Sequence, residues 1–176
     1  MILPRHPRLD QASRAMVKAI AFVGPSGSGK TELICRLSAW FQDRGLRVAV
    51  LKHTHKETLG DEGKDTWRYR QTGVRLVALA APGALQITRT LAEEAPLQEI
   101  LALMAPEADL ILVEGYKSGP LPKVVLTAPG QDATLDYPQI IALVSPEANS
   151  AGGVPVFRPG QIAALGEFLR KFLGVA

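Results

Sequence analysis

Eight consecutive residues, Gly24-Pro25-Ser26-Gly27-Ser28-Gly29-Lys30-Thr31, satisfy every fixed position of the pattern G-x-x-x-x-G-K-[ST]. The chemistry such a run can do is capture of a polyphosphate. Its glycines let the backbone curl until successive N–H groups point inward at phosphate oxygens, and the start of the following helix adds partial positive charge. Lys30 is spaced to reach the β- and γ-phosphates, and the Thr31 hydroxyl to hold Mg²⁺. Glu32 follows at once and is counted with the loop among the candidate cofactor-binding residues.

A second group is Asp109-Leu110-Ile111-Leu112-Val113-Glu114, an apolar strand bracketed by two carboxylates. A strand that ends in an acid is the usual partner of a phosphate loop, where the acid holds the metal directly or through water. Ligands of an open parallel sheet lie beyond the carboxyl ends of its strands, which selects Glu114. Asp109, about 16 Å away at the other end of the strand, is left as a loop residue. A third group follows the second apolar segment: Lys52, His53 and His55, then Asp61, Lys64 and Asp65. It leaves the same edge of the sheet. A carboxylate there suits Mg²⁺ binding or orientation of a water, and Lys52 or Lys64 suits stabilisation of phosphoryl charge. The bland readings are a helix cap at Asp65 and solvated side chains elsewhere. His53 and His55 have a metal-compatible H-x-H spacing with no third ligand nearby in sequence.

The elements that must position these groups are legible as patterns. Residues 17–23 form a short apolar run, and Leu33, Ile34, Leu37, Trp40 and Phe41 then recur at helical spacing up to Gly45. Strand, glycine loop and helix thus follow in the required order. Residues 46–51 predict a second strand, and 65–72 a short helix capped by Asp65 and ended by Gly73. Segments 76–81 and 85–90, joined through Pro82-Gly83, predict a hairpin and so an antiparallel neighbour in the sheet. Residues 96–104 predict a helix with proline in its first turn. Strands are expected at 110–113, 123–127, 140–144 and 154–157, with a loop bearing Asp132 and Asp136 before the third of these, and a closing helix at 159–173. Apolar strands alternating with helices predict an α/β protein of the three-layer P-loop NTPase class: a mainly parallel sheet, helices on both faces, and one antiparallel hairpin. Residues 1–16 read as a flexible basic extension, and 17–176 as a single nucleotide-binding domain.

Composition narrows the function classes. The chain has 176 residues, 47% hydrophobic and 21% charged, as an ordinary globular protein does. No apolar run approaches the roughly 20 residues that span a bilayer. The polar N-terminus lacks the apolar centre of a signal peptide, so a cytoplasmic protein away from the membrane is expected. Its single cysteine, Cys35, cannot form an internal disulfide and is expected to pack as a small apolar side chain. The net charge of +3 is scattered and aromatics are 6%, which does not describe a nucleic-acid-binding stripe.

The motifs in this order resemble the MobB family. They are the loop 24–31, Lys52-His53 with His55, Asp61-x-Gly63-Lys64-Asp65 with a short helix ending at Gly73, Glu114-Gly115-Tyr116-Lys117, and Pro122-Lys123. The resemblance implies a homodimeric adapter protein of molybdopterin-guanine dinucleotide synthesis that binds GTP with Mg²⁺ and hydrolyses it slowly. It implies partnership with MobA, the guanylyltransferase that joins GMP to molybdopterin, and with molybdopterin-bearing proteins. Carried over by position, Lys30 and Thr31 match phosphate and metal contacts, and Lys52, Asp61, Lys64 and Asp65 match the signature loop; His53 beside Lys52 is counted among the cofactor-binding candidates. Glu114, Gly115 and Lys117 match the segment facing the nucleotide or pterin. The catalytic candidates are Lys30, Asp65 and Glu114; the metal candidates are Thr31, Asp65 and Glu114. Three positions depart from the family pattern: Glu32 replaces a common second threonine, Lys56 a frequent histidine, and Ser145-Pro146 a frequent acid. The chain carries no N-K-x-D guanine motif. Two other readings of the residues remain open, a small P-loop metabolite kinase or ATPase and a scaffold switched by nucleotide.

Overall fold

The strand that carries the glycine loop lies in the interior of the main sheet, and its position explains most of what surrounds it. The computed structural model describes residues 18–56, 59–128, 136–147 and 153–175. The extension assigned to residues 1–16 and the loop residue Asp132 lie outside them. In chain order the elements are β1 (Ala19–Val23), α1 (Lys30–Gln42), β2 (Val48–Lys52), α2 (Asp65–Gln71), β3 (Leu76–Ala81) and β4 (Ala84–Arg89). They continue with α3 (Leu97–Met104), β5 (Leu110–Glu114), β6 (Lys123–Leu126), β7 (Ile140–Val144), β8 (Val156–Phe157) and α4 (Ile162–Leu173). The chain divides into two compact units, residues 1–53 with 101–176, and residues 54–100.

The first unit holds a six-stranded sheet in the order β2-β5-β1-β6-β7-β8. Every pairing in it is parallel. Side chains alternate along each strand, so Ile20 and Phe22, Leu110 and Leu112, Val124 and Leu126, and Ala142 and Val144 share one face. They form a single core with Leu33, Ile34, Leu37 and Phe41 of α1 and Leu165 and Leu169 of α4. The opposite parity is buried as well, with Ala21, Val23, Ile111, Val113 and Leu143 almost without exposure. Strands hidden on both faces are why these segments read as unbroken apolar runs. The helices α1 and α4 meet where Gly166 leaves room for the Trp40 indole. A Cβ built on Gly166 would lie 2.5 Å from the nearest ring atom. Cys35 differs from its sequence expectation: it is exposed. The apolar stripe of α1 runs through 33, 34, 37 and 41, which turns position 35 to solvent.

In the second unit β3 and β4 pair antiparallel as a separate two-stranded sheet. The expected hairpin is there, as a separate two-stranded sheet that adds no antiparallel strand to the six parallel ones. The helix α2 begins at Asp65, so Asp65 does not cap it. Lys64 holds the cap position without a side-chain hydrogen bond, and Asp65 sits in the first turn, where a carboxylate favours the helix dipole. Asp61 is buried and receives hydrogen bonds from Arg70 and from Thr66, the latter at 3.3 Å. Thr66 and Arg70 are one helical turn apart, so both reach the same carboxylate. Burial alone would raise the Asp61 pKa; the Arg70 hydrogen bond and charge outweigh it and hold the carboxyl below its ordinary value.

Among the described residues no helix is long and apolar enough to cross a membrane.

Candidate nucleotide-binding site

Residues 110, 112 and 114 of β5 point to the α1 side of the sheet, and the strand register carries that parity across its neighbours. Glu114 lies level with Phe22 of β1 and with Lys52 of β2. After Phe22 the chain needs only the glycine loop to return and start α1, which sets Thr31 beside Glu114. The Thr31 hydroxyl donates to Glu114 Oε2 at 3.0 Å, while Lys52 Nζ stands 3.2 Å from Oε1. The Glu114 side chain is mostly buried, at 13% exposure, whereas Lys52 is open. A hydroxyl and a carboxylate, both hard oxygen donors, therefore converge at the head of a helix. Asp109, at the other end of β5, pairs instead with Arg47 at 2.7 Å and accepts from its backbone N–H.

The Lys30 amine lies across the mouth of the loop. It donates to the carbonyl oxygens of Gly24 and Pro25, and to Ser28 Oγ at 3.4 Å. Its pKa is lowered, first by burial, which disfavours the charged form, and further by the positive charges of Lys117 and Lys52; Glu114 opposes the shift. Lys117 acts on Lys30 from the loop after β5. Three lysines thus face one carboxylate, a surplus of positive charge that suits a polyphosphate.

Backbone conformation fixes this arrangement at two glycines. Gly24 adopts φ 147° with a Cβ position 2.2 Å from the Leu126 carbonyl oxygen of β6, so no side chain fits there. Gly115 adopts φ 108° directly against His53, where a Cβ would stand 3.0 Å from the His53 Cβ. The His53 N–H donates to the Glu114 carbonyl at 2.9 Å, and its ring stacks on Tyr116 with centroids 4.3 Å apart. Tyr116 itself has φ 51°, an uncommon conformation for an aromatic residue. Behind this loop the fully buried Lys123 donates to the carbonyls of Gly119 at 2.6 Å and Leu121 at 2.9 Å. Burial lowers its pKa.

The structure therefore brings together Lys30, Thr31, Lys52, Glu114, Gly115 and Lys117, with His53 adjoining, around the loop of Gly24, Pro25, Ser26, Gly27, Ser28 and Gly29. Glu32 lies on the first turn of α1. Asp61, Lys64 and Asp65 belong to the second unit. Asp61 is engaged with Arg70 and Thr66, Lys64 is exposed, and Asp65 is exposed and 3.7 Å from Arg68. No group of three or more His, Cys, Asp or Glu side chains that could hold a metal occurs among the described residues. Lys123, read from the sequence as a strand residue and as part of the Pro122-Lys123 motif, also braces the loop after β5, a contact that the sequence reading does not give. A lysine opening an otherwise apolar strand was its signal. The tie of Arg70 to Asp61 has its sequence clue in the four-residue spacing from Thr66, which puts both donors on one face of α2.

This site sits in a chain with clear relatives. A sequence model of MobB, molybdopterin guanine dinucleotide synthesis protein B, matches residues 19–146. The chain belongs to the MobB family. It is 36% identical over 130 residues to the molybdopterin-guanine dinucleotide biosynthesis adapter protein of Haemophilus influenzae, covering 70% of each chain. The corresponding Escherichia coli adapter protein is 37% identical over 123 residues, 68% of this chain and 70% of that one. A probable adapter protein of the same pathway from Bacillus subtilis is 33% identical over 164 residues, 88% and 93% of the two chains. The crystal structure of Bacillus subtilis MobB superposes with a TM-score of 0.74 at 28% identity, covering 88% of this chain and 97% of that one. A MobB homologue from Bacillus stearothermophilus gives 0.69 at 28% identity, covering 90% and 99%. The fold of this MobB-family chain is thus a P-loop fold, as the loop and its flanking elements imply.

Proposed function

We propose that this MobB-family protein is a GTP-binding adapter in molybdenum cofactor biosynthesis, assisting attachment of GMP to molybdopterin, with at most slow GTP hydrolysis of its own. The observation that carries the nucleotide part is the meeting of Thr31 and Glu114 at 3.0 Å at the head of α1, with Lys30, Lys52 and Lys117 around it. The donor set fits Mg²⁺, which prefers oxygen ligands and keeps part of its water shell. Thr31 and Glu114 would hold the ion, whose charge would offset that of the terminal phosphate oxygens. The loop N–H groups would orient the phosphates and Lys30 would donate to them once drawn from the carbonyls it now contacts. Lys52 and Lys117 would add charge on the β2 and β5 side. For Lys64 and Asp65 in the second unit, a nucleotide or metal role rests on the family resemblance alone.

The names of the relatives support the pathway, and the partners follow from it: a MobA-type guanylyltransferase and molybdopterin-bearing proteins, in the cytoplasm. A homodimer is supported by the hairpin. Leu76, Ala78 and Ala80 of β3 share a face with Leu85 and Ile87 of β4, and all five are exposed. A contiguous apolar sheet face of this kind commonly marks an interface. The test is titration calorimetry with GTP in Mg²⁺ and in EDTA, followed by addition of the protein to a guanylyltransferase reaction on molybdopterin. Metal-dependent GTP binding and a faster transferase reaction are expected; neither occurring would reject the proposal.

A further inference from the structure

A groove of about 120 Å³ opens beside the phosphate loop on the side away from Glu114. It begins at Ser28 and Gly29, so it is continuous with the place where phosphate would lie. Strand order gives it a direction. Glu114 and Lys52 end β5 and β2 on one side of β1, whereas the groove runs along the ends of β6 and β7 on the other. A nucleotide whose terminal phosphate meets Thr31 and Glu114 would therefore extend its nucleoside into this groove. The walls suit a flat base: Leu33, Leu126, Val144 and Pro159 supply apolar surface. The polar contribution of α1 comes from Glu32 and, one turn further from the loop, Arg36. Four residues of helix place Arg36 about 6 Å beyond Glu32, as a base lies beyond its ribose.

We infer that Arg36 reads the base and makes the site selective for guanine. The inference rests on the nucleotide reading above and adds to it the specificity that the missing N-K-x-D motif leaves unassigned. The chemistry is one of donors and acceptors. A guanidinium has five N–H donors and no acceptor. Guanine offers two adjacent acceptors, O6 and N7, which an arginine takes as a pair; adenine puts an amino donor where guanine has O6. Glu32, nearer the loop, is an acceptor and matches the ribose hydroxyls, which both purine nucleotides share. Selectivity therefore falls to Arg36 and affinity for the sugar to Glu32.

The experiment is calorimetric titration of the full chain with GTP, ITP and ATP, each with Mg²⁺, for the wild type and for Arg36→Ala and Arg36→Gln. Arg36 is exposed on α1, and thermal melting would confirm that both variants fold. The wild type is expected to bind GTP and ITP alike, since inosine keeps O6 and N7, and both about 10- to 100-fold more tightly than ATP. Arg36→Ala should erase that ratio. Arg36→Gln should move it toward ATP, because a carboxamide pairs with adenine N6 and N7. Nucleotide binding without a GTP preference, or a preference unchanged in both variants, would overturn the role of Arg36 while leaving the phosphate site intact. No binding of any nucleotide by the wild type would overturn both readings.

Discussion

The hydroxyl of Thr31 and the carboxylate of Glu114 are 83 positions apart in sequence and 3.0 Å apart in space. The contact is a consequence of topology: β1 and β5 are parallel neighbours, Phe22 lies level with Glu114, and the glycine loop folds the chain back over that level. Each end of the contact is also held from behind. Glu114 is tied to Lys52 across β2, and α1 is anchored in the core by Leu33, Ile34 and Leu37. The contact is thus preorganised by the fold, which would lower the ordering cost of binding a nucleotide.

Lys30 should give nucleotide binding a characteristic pH dependence. Burial lowers its pKa from 10.5, so the free protein loses the proton below the ordinary lysine range. Phosphate contact needs the protonated amine. GTP affinity should therefore fall as pH rises through that lowered pKa, and Lys30→Ala should remove the dependence along with about 10- to 100-fold of affinity. The unliganded fold should behave oppositely. Its unfolded chain holds the lysine proton more tightly, so this residue's contribution to stability rises with pH between the lowered value and 10.5. Calorimetry from neutral to alkaline pH, with parallel melts, measures both; a flat affinity profile would remove Lys30 from the phosphate contact.

Gly166→Ala tests how closely α1 and α4 approach. The added methyl would meet Trp40 ring carbons at 2.5–2.8 Å. Overpacking of this kind costs about 1–3 kcal/mol, partly offset by the better helix propensity of alanine. Thermal melting should fall by several degrees, with GTP affinity retained. A melting point equal to or above the wild type would show that the helices have slack at this contact.

The open face of the hairpin gives a prediction about assembly. Leu85 and Ile87 are 66% and 60% exposed and lie beside each other's partners on one face. Ile87→Glu should convert the proposed homodimer to a folded monomer in sedimentation equilibrium, with circular dichroism unchanged. A dimer that persists unchanged would place the interface elsewhere.

Much of the candidate nucleotide site was legible because its signals are local. The loop, its strand and its helix occupy one continuous stretch, and direction of chain alone favours Glu114 over Asp109, which in the structure pairs with Arg47. What the sequence hid depends on tertiary contacts. The hairpin turn was readable, but whether its strands join the main sheet is a matter of long-range pairing that no local pattern carries. The tie of Asp61 to Arg70 competes with a plausible phosphate role on residue type alone. Cys35 is one position off the stripe set by Leu33, Ile34 and Leu37, and a helix turns through 100° per residue, so that single step moves it from core to solvent. The groove at Arg36 joins α1 to the ends of β6 and β7, which no linear pattern brings together.

The most direct test of the account is GTP affinity measured with and without Mg²⁺ for the wild type and for Glu114→Gln. Glutamine keeps the shape and an acceptor for Thr31 but removes the charge that Mg²⁺ requires. The wild type should bind GTP more tightly with Mg²⁺, and Glu114→Gln should lose most of that increment, about tenfold or more, while its metal-free affinity changes little. An increment of equal size in both proteins would contradict the assignment of Glu114, and with it the metal-nucleotide site built on its contact with Thr31.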